Sequence, residues 1–216
     1  MDSFTNLFFL FYIYSIIGWI IETVYVSIKQ HKLANRGFLV GPYCPIYGLS
    51  SILMLIFLSK YKEDLLVLFI MGMFIPSLLE YITSFILEKL FKVRWWDYSD
   101  KMFNIDGRVC LQNSFIFGIL CILLILYINP FINHLINLIP HNLLNPIILM
   151  FMILFIIDSV FSLITIFKVK TTIKKINGKK DYTEEVIYKV RKSLTDQSKL
   201  IKRLFNAFPN VNIRFK

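Results

Sequence analysis

LLVLFIMGMFIPSLLEYITSFILEKLF, residues 65–91, decides what kind of protein this is. A helix that crosses a bilayer needs about 20 mostly apolar residues, and this stretch exceeds that while carrying no charge before Glu80. Four more apolar runs lie around it, at roughly 6–28, 43–59, 111–128 and 144–168 by the same length rule. The run at 43–59 is short, and 65–91 is long enough to tilt or to project past the lipid. Hydrophobic residues make up 56% of the 216, and mean hydropathy is strongly positive. A soluble core of this length does not need that much apolar surface, whereas a chain surrounded by lipid does. The expected fold is therefore all-α: an integral membrane bundle of about five transmembrane helices over residues 1–170, followed by a basic cytoplasmic tail, 171–216.

Lysine and arginine set the expected orientation. The leader MDSFTN and the 129–143 connection have none, and the 60–64 connection has two. The 29–42 connection has three, the 89–110 connection has five, and the chain from Lys168 onward has fourteen. The positive-inside rule then puts the N-terminus outside and the C-terminus in the cytoplasm of a multi-pass cell-membrane protein. The first apolar run is too long for a signal core and lacks a basic leader, so it is expected to stay as a helix. The net charge of +10 belongs wholly to the tail. It points to anionic lipid rather than nucleic acid, at about 1 kcal/mol per basic residue near the surface. Asp181 and Glu184 resemble a capping box, and Val186, Val190, Leu194, Ile201 and Leu204 follow at helical spacing. They predict an amphipathic helix over 182–206 that packs on the membrane domain or the lipid, or docks another subunit.

Two connections on the same expected side are unusual. NRGFLVGPYCPIYG, residues 35–48, concentrates glycine and proline at the edge of the membrane. Irregular backbone there must be shielded by protein or water. It is either a plain turn or a compact loop whose amides and Arg36 face a ligand. RWWDYSDKMFNIDGR, residues 94–108, carries Trp95, Trp96 and Tyr98, which suit an interfacial belt. The belt leaves Arg94, Asp97, Ser99, Asn104 and Arg108 unexplained.

Within the runs, Glu22, Glu80 and Asp158 interrupt apolar helices. A carboxylate at a helix centre costs about 2.5–3.5 kcal/mol on insertion scales, so it should face the bundle interior or water. At 1.5 Å per residue Glu22 lies roughly 9 Å from its helix end, and Glu80 and Asp158 roughly 13–16 Å. Each shares a helix face with small polar residues: Ser15 and Gly18 with Glu22, Ser84 and Glu88 with Glu80, Ser162 and Thr165 with Asp158. Gln112, Asn113 and Ser114 open the fourth run. Two readings stand: glue between helices with arginine partners, or one polar cavity formed by three acids. Cys44, Cys110 and Cys121 form no C-x-x-C, and no Cys/His spacing suits zinc, so neither a metal site nor a cofactor is expected.

GWIIE at 18–22, the 35–48 stretch, Glu80 with Glu88, WWDYS at 95–99 and the N-x-x-G-R of Asn104, Gly107 and Arg108 resemble the CmpB family of ABC-transporter-type membrane proteins, which has eukaryotic transmembrane relatives. The resemblance covers residues 10–118 or so. It implies a multi-pass transporter subunit with motif positions at Glu22, Asn35, Arg36, Gly37, Gly41, Pro42, Pro45, Gly48, Glu80, Trp96, Asp97, Tyr98, Asn104 and Gly107.

No G-x-x-x-x-G-K-[ST] phosphate loop occurs, so coupling to ATP would need a separate cytoplasmic ATPase subunit. Five helices are few for a stand-alone transporter and show no repeat, which favours a subunit role or a homodimer. The leading expectation is a transport subunit with a cytoplasm-facing polar site. Arg36 and the loop amides would take an anionic group there, and Glu22, Glu80 and Asp158 a cation or protons. The alternatives are a membrane enzyme acting on a lipid headgroup or polyprenyl-linked substrate, with Asp97 or Glu80 as general base, and a non-catalytic scaffold.

Overall fold

The computed structural model describes residues 3–31, 35–91, 93–176, 199–207 and 212–213. Helices dominate: α1 (Ser3–Gln30), α2 (Pro45–Leu58), α3 (Leu65–Phe91), α4 (Leu111–Leu123), α5 (Asn129–Asn137), α6 (His141–Ile176) and α7 (Lys199–Ala207). Four stretches are long and apolar enough to cross a membrane: Thr5–Gln30, Leu65–Phe91, Leu111–Asn137 and Asn142–Lys168. The 43–59 run becomes α2, 14 residues long, with one 3-10 turn from Ser59 to Tyr61 beyond it. At 1.5 Å per residue α2 covers roughly 21 Å, less than the roughly 30 Å hydrocarbon core.

The fourth run extends further than its expected end at 128. A π-helical turn, Leu124–Ile128, joins α4 to α5 without a break. Proline normally ends a helix because its ring meets the carbonyl four residues back. The wider turn just before Asn129 and Pro130 accommodates that ring, so residues 129–137 are helix rather than connection.

α1 and α3 run the same way, with α2 reversed between them, and α4 runs back against α3. On α1 and α2, Gly48 lies against Ser15 and Phe11, and a Cβ at Gly48 would collide with the Ser15 hydroxyl and the Phe11 carbonyl. Small residues permit such close helix crossings when water is not there to drive them. On α3 and α4, the hydroxyls of Ser77 and Ser114 meet at 2.6 Å. The Tyr14 hydroxyl of α1 donates to Asn129 Oδ1 at 2.9 Å, which ties α1 to the start of α5. One end of the bundle is filled by a cluster that includes Phe9, Leu10, Leu58, Leu68, Leu124, Ile136 and Leu144.

The opposite end, called the loop end below, gathers residues 35–44, residues 93–110 and α7. The Phe38 and Trp95 rings meet edge-on there, with centroids 5.8 Å apart. Among the described residues, four two-residue strands, which hydropathy does not predict, fasten it. β2 (Asn104–Ile105) and β3 (Val109–Cys110) form a hairpin. β1 (Val93–Arg94) pairs antiparallel with β4 (Asn212–Ile213). Of the tail helix expected over 182–206, residues 182–198 lie outside the described residues. α7 holds the remainder, with Ile201, Leu204 and Ala207 buried.

Candidate functional site

A cavity of about 470 Å3 runs inward from Arg36 and Trp96 at the loop end to Tyr14 and Ile128 deeper in the bundle. Its walls come from α1 to α4, α6 and both loops, and they are mainly apolar: Met54, Leu87, Phe117, Leu120 and Leu163 are among them. The charged groups lining it are Glu22, Arg36 and Glu80, and hydroxyls come from Tyr47, Ser50, Ser51, Thr83, Tyr98 and Ser159 among others.

Glu22 is matched within the chain. Its Oε2 lies 3.4 Å from Arg36 Nε, and its Oε1 accepts the Tyr47 hydroxyl at 2.5 Å. Arg36 also donates to the carbonyl of Ala207 in α7, and its backbone amide reaches Thr23 Oγ1 at 3.4 Å. Beside it, Asn35 Oδ1 accepts the Trp19 indole N–H at 3.0 Å.

Glu80 is treated differently. Its side chain is buried, 8% exposed, and Oε1 accepts the Tyr98 hydroxyl at 3.0 Å. Oε2 is buried and has no hydrogen-bond partner among the described residues. Tyr98 remains a donor, because burial first and the Glu80 charge second push its hydroxyl far above the usual phenol range.

Asp158, grouped with these acids in the sequence, is not among the residues lining the cavity. Its carboxylate accepts the amides of Val40 at 2.9 Å and Gly41 at 2.6 Å, the Tyr43 hydroxyl at 2.6 Å and the Ser162 hydroxyl at 3.0 Å. The Val40 and Gly41 amides, which could have met an anion, are thus occupied inside the chain. The same loop is held elsewhere by the Cys44 amide, which donates to the Ser15 carbonyl at 2.9 Å. Arg203 of α7 donates to the carbonyls of Phe38, Leu39 and Val40 at 3.4, 2.7 and 3.3 Å. The Val40 and Gly41 amides are therefore bound by α6, and the Phe38, Leu39 and Val40 carbonyls by α7. Burial, then the Glu22 charge, pushes the Cys44 thiol up to about 12, so it is protonated at neutral pH.

The second loop is organised by its own residues. Asp97 Oδ1 accepts the Ser99 amide at 3.0 Å and hydroxyl at 2.5 Å, and lies 3.3 Å from Arg94 Nη1. Asn104 donates to the carbonyls of Ser99 and Lys101 and accepts the Gly107 amide. Gly107 has φ +64°, and a Cβ there would run into Asp97 and Ser99. Trp96 donates its indole N–H to the Arg108 carbonyl at 3.0 Å. Glu88 Oε2 lies 3.0 Å from both Arg94 Nε and Arg108 Nη1, and Arg108 also reaches Ser84 Oγ at 3.2 Å.

The residues singled out from sequence thus fall into three places. Glu22, Arg36, Gly37, Glu80, Trp96 and Tyr98 line the cavity. Gly41 and Asp158 build the loop anchor, and Asp97, Asn104 and Arg108 shape the second loop. Asn35 sits at the edge, on Trp19. Sequence reasoning overlooked Tyr47, although it stands in the glycine-rich stretch one turn before Ser50 and Ser51. It also had no signal for Arg203, whose partners are backbone carbonyls.

A family model, ABC_trans_CmpB, described as "Putative ABC-transporter type IV", matches residues 9–163. The chain belongs to this family. The match extends past the motif-rich first half and takes in α4, α5 and Asp158. No curated protein and no solved structure matches the chain.

Proposed function

We propose that this member of the CmpB family is the membrane-embedded subunit of an ABC-type transporter, with the cavity as its solute site and the loop end as the seat of a separate ATPase. The observation that carries this reading is Glu80, a buried carboxylate with one oxygen unmatched among the described residues, on the wall of a 470 Å3 cavity. An acid that serves only helix packing finds donors on a neighbouring helix. Among the described residues Glu80 has a single donor, the Tyr98 hydroxyl from a loop, and its second oxygen is buried without one.

The loop end suits docking because it is braced. α7 holds the first loop by its carbonyls, Asn104 and Asp97 rigidify the second, and β4 pairs beside Arg94. In this reading the loop end is cytoplasmic, the N-terminus is outside, and α2 with its 3-10 turn makes a fifth, short crossing. Residues 1–170 form the membrane domain. The basic tail, 171–216, lies against anionic lipid. Two copies would pair, since a lone bundle of this size offers only half a conventional pathway.

The test is purification of the tagged full-length chain from its native membrane in mild detergent, followed by reconstitution into proteoliposomes. A stoichiometric ATPase carrying a phosphate loop, with ATP-dependent flux lost on Glu80→Gln and Arg36→Ala, is the expected result. Recovery of the chain with no such ATPase, or flux indifferent to both substitutions, overturns the proposal.

A further inference from the structure

We infer that the cavity binds a drug-sized organic ammonium ion, an apolar body carrying one protonated amine, with the amine on the Glu80 carboxylate. This rests on the reading of the cavity as a ligand site and names the chemistry that would fill it. The two carboxylates that face the cavity are not equivalent. Glu22 has a guanidinium at 3.4 Å and a phenol at 2.5 Å, and it needs nothing more. Among the described residues Glu80 has the Tyr98 hydroxyl alone, and its second oxygen is buried without a donor there. Leaving a buried carboxyl oxygen without a donor is costly, and the donor that would hold it as a carboxylate is an N–H that also carries positive charge.

The remaining walls select what the amine is attached to. Met54, Leu87, Phe117 and Leu120 offer an apolar surface, and Trp96 with Tyr98 offers aromatic faces suited to a cation. The volume of about 470 Å3 falls within the range of about 300–1,000 Å3 typical of small-molecule pockets, and it is too small for a whole two-chain lipid. An anion is disfavoured because the arginine on the wall, Arg36, is engaged by Glu22 and by the Ala207 carbonyl. A bare metal ion is disfavoured because a hard cation takes six or more oxygens and the cavity leaves one unsatisfied carboxylate oxygen.

The experiment is equilibrium fluorescence titration of the purified full-length protein with dansylcadaverine, an apolar fluorophore bearing a primary ammonium. Its N-acetyl derivative serves as the neutral control. Saturable binding is expected, weaker by at least about tenfold for the acetylated probe and for Glu80→Gln, as loss of a charge-assisted hydrogen bond implies. Leu120→Trp fills the cavity without touching a charge, and it is expected to abolish binding even if Glu80→Gln proves difficult to purify. Equal affinity for the two probes, or full affinity in Glu80→Gln or Leu120→Trp, overturns the inference. Displacement of the probe by phosphatidylethanolamine but not phosphatidylglycerol overturns the free amine in favour of a lipid headgroup. Because the titration needs no ATPase, binding without flux would sink the transport reading alone. ATP-driven flux with no preference for the ammonium would sink this inference alone.

Discussion

Asp158 on α6 accepts four hydrogen bonds, two from amides of the 35–44 loop, one from Tyr43 and one from Ser162. Glu80 on α3, in the cavity wall, accepts one among the described residues, from Tyr98, and its other oxygen is buried without a donor there. Both are acids within long apolar helices, and hydropathy alone cannot separate them. Their surroundings do. Asp158 is a structural anchor whose acceptor capacity is consumed by the chain itself, and Glu80 is an acceptor held in reserve. A carboxylate in an apolar helix therefore announces only that something must meet it. Counting donors around it distinguishes a partner inside the protein from one that arrives.

That contrast predicts a ranking of substitution effects on stability, measurable by thermal unfolding in detergent. Asp158→Ala is the most damaging. It strands two amides and a phenol, and at about 1–3 kcal/mol for a stranded group, reduced here by partial exposure, a loss of roughly 2–4 kcal/mol is expected. Glu88→Gln comes next. It removes the charge that both Arg94 and Arg108 meet at 3.0 Å, at about 1.5–3 kcal/mol. Tyr98→Phe deletes one hydrogen bond and is expected to cost about 1 kcal/mol. Glu80→Gln, which keeps the shape and the Tyr98 contact, is expected to change stability least, by under about 1 kcal/mol. A loss at Glu80 as large as that at Asp158 would erase the distinction between anchor and reserve.

Cys44 gives a local readout of the same contrast. With its thiol pushed up to about 12 by burial, it carries little thiolate below that pH. Alkylation by N-ethylmaleimide, mapped by mass spectrometry, should be slow in the native protein and in Glu80→Gln. It should accelerate by at least about tenfold in Asp158→Ala, where the loop is released and the thiol meets water. Slow labelling in all three would mean that Asp158 does not hold the loop closed.

Much of this architecture is visible in the chain before any coordinates. Residues 65–91 become α3 with those same bounds, because Pro76 is the one helix-breaking proline in an apolar stretch long enough to span. Pro76 is tolerated inside a helix that packs closely on α4. The CmpB motifs in the first half identify the family. The end of the fourth span was hidden because Asn129-Pro130 has the look of a terminus, and a π turn that absorbs a proline leaves no mark on composition. The division of the acids was hidden for another reason. Helical spacing puts Asp158 and Ser162 on one face, and Glu80 with Ser84 on another, but spacing says nothing of what each face meets. Arg203 was hidden because a charge count treats it as one basic residue among fourteen, whereas here it acts as a donor to three carbonyls.

The most direct test of Glu80 as the reserved acceptor is ligand-induced stabilisation, read as the thermal shift with dansylcadaverine in native protein, Asp158→Asn and Glu80→Gln. At a hundredfold excess over Kd the linkage is about 2.7 kcal/mol, roughly 5–10 °C for a chain of this size. The account predicts that shift in native protein and in Asp158→Asn, from a lower starting Tm, and its disappearance in Glu80→Gln. A full shift in Glu80→Gln, or its loss in Asp158→Asn alone, would contradict it.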